Sequence, residues 1–437
     1  MSGVPKLNAA VRRACGALTR TPAIWLLVGA AASTPAAQAD TADYIAPSIA
    51  VGGVYDDNLF LSSNDRQSDE ILRVSPALEF GYGTEALTLA GFYTFDAERY
   101  RHHPELNGNT VRRNGALDLG YQATPRLNLA LDANYTSTET PSELSPQLSL
   151  GLGRAHAVYE TVAPSIGYSF DELTFGRAGY AYEQEDLASA PETQVNTGTL
   201  GLEHRFTPRD SWEATFAASR YDFGPFDKVD SRVLTLGWNH LLTPATTFNV
   251  DAGPRETEGV TTAEYGIGIT SLLDSGTFSL QYNRSQAALI GEFRPADTRS
   301  AVMKLDYIVN DQLELSFQPS WSSDTIGTAR ATLWRADLSF NYRLTRIASL
   351  VGSYGYSLQQ GLLTGANQRI LSNVVYLGFV FAQPVAGPSA YLQRRGNPFE
   401  TLWPAPQPRQ SPVSPSIFPN PNSTVTTDQQ NENPPPP

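Results

Sequence analysis

The sequence predicts an all-β chain: a transmembrane antiparallel up-and-down β-barrel of about 18 strands, with 16 as the alternative count. Three observations predict it. Apolar and polar residues alternate over many short stretches separated by turn signals, which is the period of a strand with one apolar and one polar face. The stretches run to ~10–12 residues, long for soluble strands and right for tilted membrane strands. The N-terminus has the layout of a secretory signal, and no cysteine follows it.

Composition narrows the class. Of 437 residues 41% are hydrophobic, and the net charge is -13. No long apolar run follows the N-terminal one, so a bundle of membrane helices is excluded. The acidic balance argues against a nucleic-acid partner, which needs a basic face. Lys6, Arg12, Arg13 and Arg20 form a positive region, Ala23 to Ala32 a short apolar core, and Ala37-Gln38-Ala39 a small-x-small cleavage site before Asp40. Residues 1–39 therefore read as a bacterial-type signal peptide, the core being too short for a spanning anchor. Cys15 precedes that core, so it is not placed to carry a lipid. A secreted chain without disulfides must draw its stability from a large sheet.

The strands are expected in residues 40–383. The first runs from Tyr44 to Val54, and a loop, Tyr55 to Asp69, follows. In Ile71 to Phe80, Leu72, Val74, Leu78 and Phe80 oppose Arg73, Ser75 and Glu79. A turn near Gly83-Thr84-Glu85 leads into Leu87 to Tyr100. The clearest hairpin is Leu117 to Thr136. Leu117, Leu119 and Tyr121 oppose Asp118, Gly120 and Gln122, and Leu127, Leu129 and Leu131 oppose Asn128, Ala130 and Asp132, around the turn Ala123-Thr124-Pro125-Arg126. A long loop spans Glu139 to Arg154.

Tight turns then fall at Asp171-Glu172, Thr207 to Asp210, Leu242-Thr243-Pro244, Asp274-Ser275-Gly276, Asn310-Asp311 and Leu344-Thr345. Longer connections fall at Gly224 to Val229, Glu256 to Thr261, Ala288 to Asp297 and Gln360 to Asn367. Short turns at one end and longer loops at the other mark an outer-membrane barrel of a Gram-negative bacterium, with short turns and both termini periplasmic. Phe278, Leu280 and Tyr282 belong to the lipid face, as do Leu313, Leu315 and Phe317. Leu333 breaks the alternation of its strand. Tyr82, Tyr121, Trp212, Trp238, Trp321 and Tyr342 recur near strand ends, as interfacial girdles require. The expected surroundings are outer-membrane lipid and lipopolysaccharide.

By parity the lumen-facing charges are Arg73, Glu79, Arg112, Asp118, Asp132, Glu203, Arg205, Lys304, Asp306, Glu314, Arg335, Asp337 and Arg343. Interleaved charges of this kind ordinarily pair or are solvated. The sharper reading is that Arg73, Arg112, Arg205 and Arg335 line a section passing small anionic solutes or an anionic oligosaccharide, because rings of Arg select anions. Residues 384–437 hold 14 of the 31 prolines and end in four of them, so a disordered tail is expected.

Two resemblances bear on these expectations. Val375, Leu377, Phe379 and Phe381 resemble the terminal-strand signal read by the outer-membrane assembly machinery, although a tail follows here. Tyr55-Asp56-Asp57-Asn58-Leu59 after a short first strand, with turns of the Thr-Pro-Arg kind, resembles the beta-barrel porin 2 family of Gram-negative outer-membrane proteins. The similarity would cover about Tyr44 to Phe381. It implies an outer-membrane barrel and, more weakly, an association with exopolysaccharide production or export. From the residues alone, Asp56, Asp57 and Asn58 either bind Ca²⁺ or a sugar, or satisfy turn backbone.

No enzyme, cofactor or metal site is predicted: there is no Gly-x-Ser-x-Gly elbow, no metal-spaced His/Cys set and no phosphate loop. His102-His103 reads as a solvated outer loop with a metal site as the alternative, and His156 and His240 lie near strand ends with serines about. The expectation is a porin-like channel or exopolysaccharide-export component. The alternatives are a non-conducting scaffold whose tail recruits a periplasmic partner, and a barrel hydrolase.

Overall fold

The computed structural model describes residues 43–383, apart from 142–143, 145–152, 189, 191, 227 and 363–367. The predicted signal peptide, with Cys15, and the predicted tail at 384–437 lie outside the described residues.

Eighteen strands follow one another along the chain. The first nine are β1 Tyr44–Asp56, β2 Asp69–Gly83, β3 Leu87–Tyr100, β4 Gly108–Thr124, β5 Leu127–Thr138, β6 Ala157–Ser169, β7 Thr174–Leu187, β8 Thr193–Arg205 and β9 Asp210–Asp222. The second nine are β10 Lys228–Thr243, β11 Thr246–Thr257, β12 Val260–Leu273, β13 Gly276–Ala287, β14 Ala296–Asn310, β15 Leu313–Ile326, β16 Ala329–Arg343, β17 Ala348–Gln360 and β18 Arg369–Ala382. Each pairs antiparallel with its sequence neighbours, and β1 pairs with β18 from Ser48↔Ala382 to Asp56↔Val374. The sheet is therefore closed. Closure satisfies every strand edge, which an apolar surround demands.

The strands are longer than expected. They span 12 residues in β5 and 17 in β4. The alternating stretches are the parts that face hydrocarbon; the ladder continues beyond them into residues whose outward side is polar. The same effect corrects one connection. Glu256 to Thr261, expected to be a long loop, is a two-residue turn, because pairing continues to Thr257↔Val260. Glu258 and Gly259 take φ of 50° and 79°, the left-handed pair that a tight hairpin turn needs. Its threonines look like loop in sequence but simply extend the sheet above the membrane.

Cross-strand partners share a face, so the register assigns sides. Leu117↔Ala133, Leu119↔Leu131 and Tyr121↔Leu129 lie on the outer face, as do Leu280↔Met303 and Tyr282↔Ala301. Leu200, Leu236 and Leu377 are 59%, 64% and 53% exposed there. Such a surface is untenable in water and correct against lipid. At one end every connection is four residues or fewer, as at Pro125-Arg126, Pro244-Ala245 and Asp274-Ser275, whereas at the other most are longer, the exceptions being the two-residue turns Glu258-Gly259 and Gly327-Thr328. The chain is an outer-membrane barrel, with the short-turn end periplasmic. No helix among the described residues is long and apolar enough to cross a membrane, so the strands do the crossing.

The buried apolar core is not in the middle of the barrel. Most of it sits at the outer mouth, where loops turn inward, and part runs down the inner wall through Val351 and Val380 and at Phe92 and Ala116. Leu333 is the sequence exception that marks it. It faces the lumen, is 3% exposed, and packs on Leu61 and Ile370.

Candidate functional site

Apolar side chains cross the outer mouth. The β13–β14 loop, Ala288 to Pro295, folds inward and buries Ala288, Leu289 and Ile290, each 3% exposed. Leu289 and Ile290 share one cluster with Ala157 of β6, Leu187 of β7 and Ala331 of β16. In an 18-stranded ring β7 and β16 stand opposite one another, so this cluster bridges the mouth. Ala288 packs with Val195 of β8, Tyr221 of β9, Phe223 of the β9–β10 connection and Val229 of β10. From the other side the β1–β2 loop brings in Leu59, against Val54, Ile71, Tyr100 and Tyr376, and Leu61 against Leu333.

Beneath this plug lies a charged cleft. Arg73 of β2 donates to Glu98 of β3 at 2.7 Å and stands 3.8 Å from Asp96, which Arg112 of β4 approaches to 3.8 Å. The Tyr100 hydroxyl donates to Glu98, and the Arg154 guanidinium stacks 5.4 Å over the Tyr100 ring. Arg335, Asp56, Thr138, Ser357 and Ser372 line the same cleft. Arg73, Arg112, Arg335, Asp96 and Glu98 are all buried. Packing opposite charges this closely offsets part of the cost of burying them.

Sequence parity named three of these arginines and missed their partners. The signal for Asp96 and Glu98 was present, since they alternate with Phe95 and Ala97. Arg154 was not legible, because it comes from a loop. Arg205 does not join the other three arginines. It is the last residue of β8, at the periplasmic end, so the expected four-arginine section is divided between two ends of the lumen.

The remaining lumen charges line the periplasmic half. Asp118 stands directly across from Asp132, and Glu203 from Glu213. Glu213 is paired with Arg177. Glu79 accepts from the Tyr44 hydroxyl at 2.5 Å. Lys304 lies 3.4 Å from Asp306, which also accepts from Ser316 at 2.7 Å. Glu314, Asp337 and Arg343 lie on the inner face of β15 and β16, where Glu314↔Asn341 and Gln318↔Asp337 fix the register. Asp132 is exposed on the inner face, so water reaches the lumen at its level, and Arg343 is exposed at the periplasmic rim.

The Tyr55–Asn58 stretch builds the seam of the barrel. Tyr55 faces outward and is 46% exposed. Asp56 accepts the Asn58 N–H at 2.8 Å. Asp57 accepts from both the backbone and the side-chain amide of Asn373 on β18. Asn58 is wholly buried; its amide donates to the carbonyls of Ser62 and Leu371 and accepts from the Ser62 N–H. All three side chains are thus engaged with the backbone of the turn and of β18 or with the Asn373 amide.

No group of His, Cys, Asp and Glu among the described residues is arranged to hold a metal ion. His103 has both ring nitrogens engaged, with Asp69 at 2.7 Å and Gln67 at 3.0 Å. Asp69 also accepts the backbone N–H groups of Glu70, Arg101 and His102, so the loop's backbone is tied down while the His102 side chain, 56% exposed, stays solvated as expected. Those N–H groups hold the Asp69 carboxyl below the ordinary range, although its burial acts in the other direction. His156 contacts Glu139 at 3.0 Å on the outer rim. His240 contacts Asp210 at 2.6 Å on the outer face, whereas Ser211, opposite Asn239, faces inward.

No protein-family model matches the sequence, and no curated protein matches it. Among solved structures the chain is similar to Acinetobacter baumannii OccAB4, at 10% identity and a TM-score of 0.42, over 78% of this chain and 98% of that one. Pseudomonas aeruginosa OpdO aligns at 12% identity and a TM-score of 0.43, over 78% and 97%. The siderophore receptor PirA from Pseudomonas aeruginosa aligns at 10% identity and a TM-score of 0.38, over 80% and 81%.

Proposed function

We propose that the barrel is a porin-like channel for small hydrophilic solutes, held shut at its outer mouth by the inward-folded β13–β14 and β1–β2 loops. One observation carries this reading: the apolar cluster that spans the barrel lies at the mouth, while the lumen wall below it carries charged side chains such as Asp118, Asp132 and Glu203, with Asp132 exposed to water. An 18-stranded wall encloses more space than its own side chains fill. A permanently sealed scaffold would have no need of a charged, hydrated interior beneath a removable cap.

The charge pattern bears on the solute. Arg73 and Arg112 face Asp96 and Glu98, and the periplasmic half presents carboxylates face to face at Asp118/Asp132 and Glu203/Glu213. Acidic linings favour cations, so the preference we expect is for cationic or neutral solutes over the anionic ones that the arginines alone suggest. A role with exopolysaccharide is the second reading. It rests on the resemblance carried by Tyr55 to Leu59, residues that serve the β1–β18 seam.

Planar-bilayer recording tests the channel. The intact chain should give rare, small openings, and replacing 289–294 by a Gly-Ser linker should give a steady, larger, weakly cation-selective conductance. No conductance after plug removal would favour the scaffold reading instead. Loss of polymer secretion in a deletion strain, with conductance unaffected by plug variants, would favour the exopolysaccharide reading.

A further inference from the structure

On β13 and β14 the outward face changes character within one rung. Leu280↔Met303 and Tyr282↔Ala301 are lipid-facing pairs, and the next outward pair towards the outer rim is Arg284↔Arg299. The boundary between hydrocarbon and headgroups therefore falls at Tyr282, as aromatic belts mark it elsewhere. Tyr265 of β12 stands directly opposite Arg284, and its ring lies 6.1 Å from that of Tyr282, nearly parallel.

Two arginines directly opposed on one face repel, and a sheet ordinarily avoids such a pair. Arg284 is partly compensated: Asp297 grips its Nε and Nη2 at 3.1 and 2.6 Å. Arg299 is exposed and has no carboxylate at ion-pair distance among the described residues. An anion seated between the two guanidiniums at headgroup depth would relieve the repulsion. The outer leaflet offers such an anion in its phosphorylated glycolipid, and guanidinium forks match phosphate oxygens geometrically. The tyrosine hydroxyls at the same level supply further donors.

We propose that Arg284, Arg299, Tyr265 and Tyr282 form a site on the lipid-facing wall for the phosphorylated headgroup of an outer-leaflet glycolipid. The site rests on the membrane placement of the barrel and not on the channel reading. By seating a lipid between β12 and β14, it would fix the depth of this wall beside the β13–β14 plug loop.

The test is native mass spectrometry of the full chain released from liposomes containing diphosphoryl lipid A or its dephosphorylated form. The native protein should retain the diphosphoryl lipid and not the dephosphorylated one. The double variant Arg284→Gln/Arg299→Gln should lose at least tenfold of the retained lipid. Arg220→Gln should retain it, because Arg220 is an outward rim arginine already gripped by Asp230 at 2.7 and 3.0 Å. Heat-modifiable electrophoresis reports folding of each variant. Equal retention by the folded double variant, or complete displacement by millimolar inorganic phosphate, would overturn the site, the latter by showing a free-phosphate site. Failure of the native chain to insert into liposomes would overturn the membrane placement, and this site with it.

Discussion

The carboxylate of Asp57 accepts two hydrogen bonds from Asn373, one from the backbone N–H and one from the side-chain amide, both at 2.7 Å. The Asp57 N–H returns a bond to the Asn373 carbonyl at 3.1 Å. This three-bond clasp, with Asn58 reaching the Leu371 carbonyl beside it, locks the outer end of β1 to β18, where the first and last strands must meet.

Breaking the clasp should loosen the seam. Asn58→Ala leaves a buried N–H of Ser62 and the Leu371 carbonyl without their partner, a loss of about 1–3 kcal/mol. Asp57→Ala should cost a similar amount. The midpoint of heat-modifiable mobility should fall in both, and Tyr55→Phe, on the lipid face, should leave it unmoved.

The face assignment is open to direct test. Leu280 faces lipid near the middle of β13, so Leu280→Arg should cost about 2–4 kcal/mol and greatly reduce assembly. Its neighbour Gln281 faces the lumen, and Gln281→Ala should assemble normally. Equal yields of folded barrel from the two would reverse inside and outside.

The plug should respond to pH. Burial holds the carboxyl of Glu292, in the β13–β14 loop, above the ordinary carboxylate range. The closed loop thus binds this proton more tightly than the open one. Its extra stability is fully present below the ordinary carboxylate value and is lost as pH rises through the raised one. Open probability should rise with pH across that window, and Glu292→Gln should flatten the profile. Leu289→Asp should open the channel at any pH by putting a charge into the apolar cluster.

Glu98 and Arg73 form a buried pair at 2.7 Å, with side chains 5% and 9% exposed. Glu98→Gln should destabilise the barrel by leaving Arg73 only the more distant Asp96 carboxylate at 3.8 Å, a loss below the roughly 3–5 kcal/mol of a wholly unpaired buried charge, and should shift ion preference towards anions. Arg73→Gln added to it should restore much of the stability and reverse the shift. Additive losses in the double variant would show that the two residues act independently.

Much of this was legible in the chain. Leu117, Leu119 and Tyr121 disclose a lipid face because strand side chains alternate locally, whatever the rest of the protein does. Repeating that local rule fixes the strand number and the inward parity of Arg73, Asp118 or Lys304. The turn at Glu258-Gly259 was misread because threonines suit loops and polar strand ends equally well.

What the sequence by itself determined is the barrel: its class, its alternation of faces and the end that carries the short turns, all properties of residues near one another in the chain. Only the tertiary structure decided that Leu289 bridges β7 and β16, that Glu98 rather than solvent meets Arg73, and that Asp57 closes the seam on Asn373. Those contacts join strands brought together by closure or by a loop folding inward. Period two names the face of a residue but not its depth in the lumen or the loop that covers it.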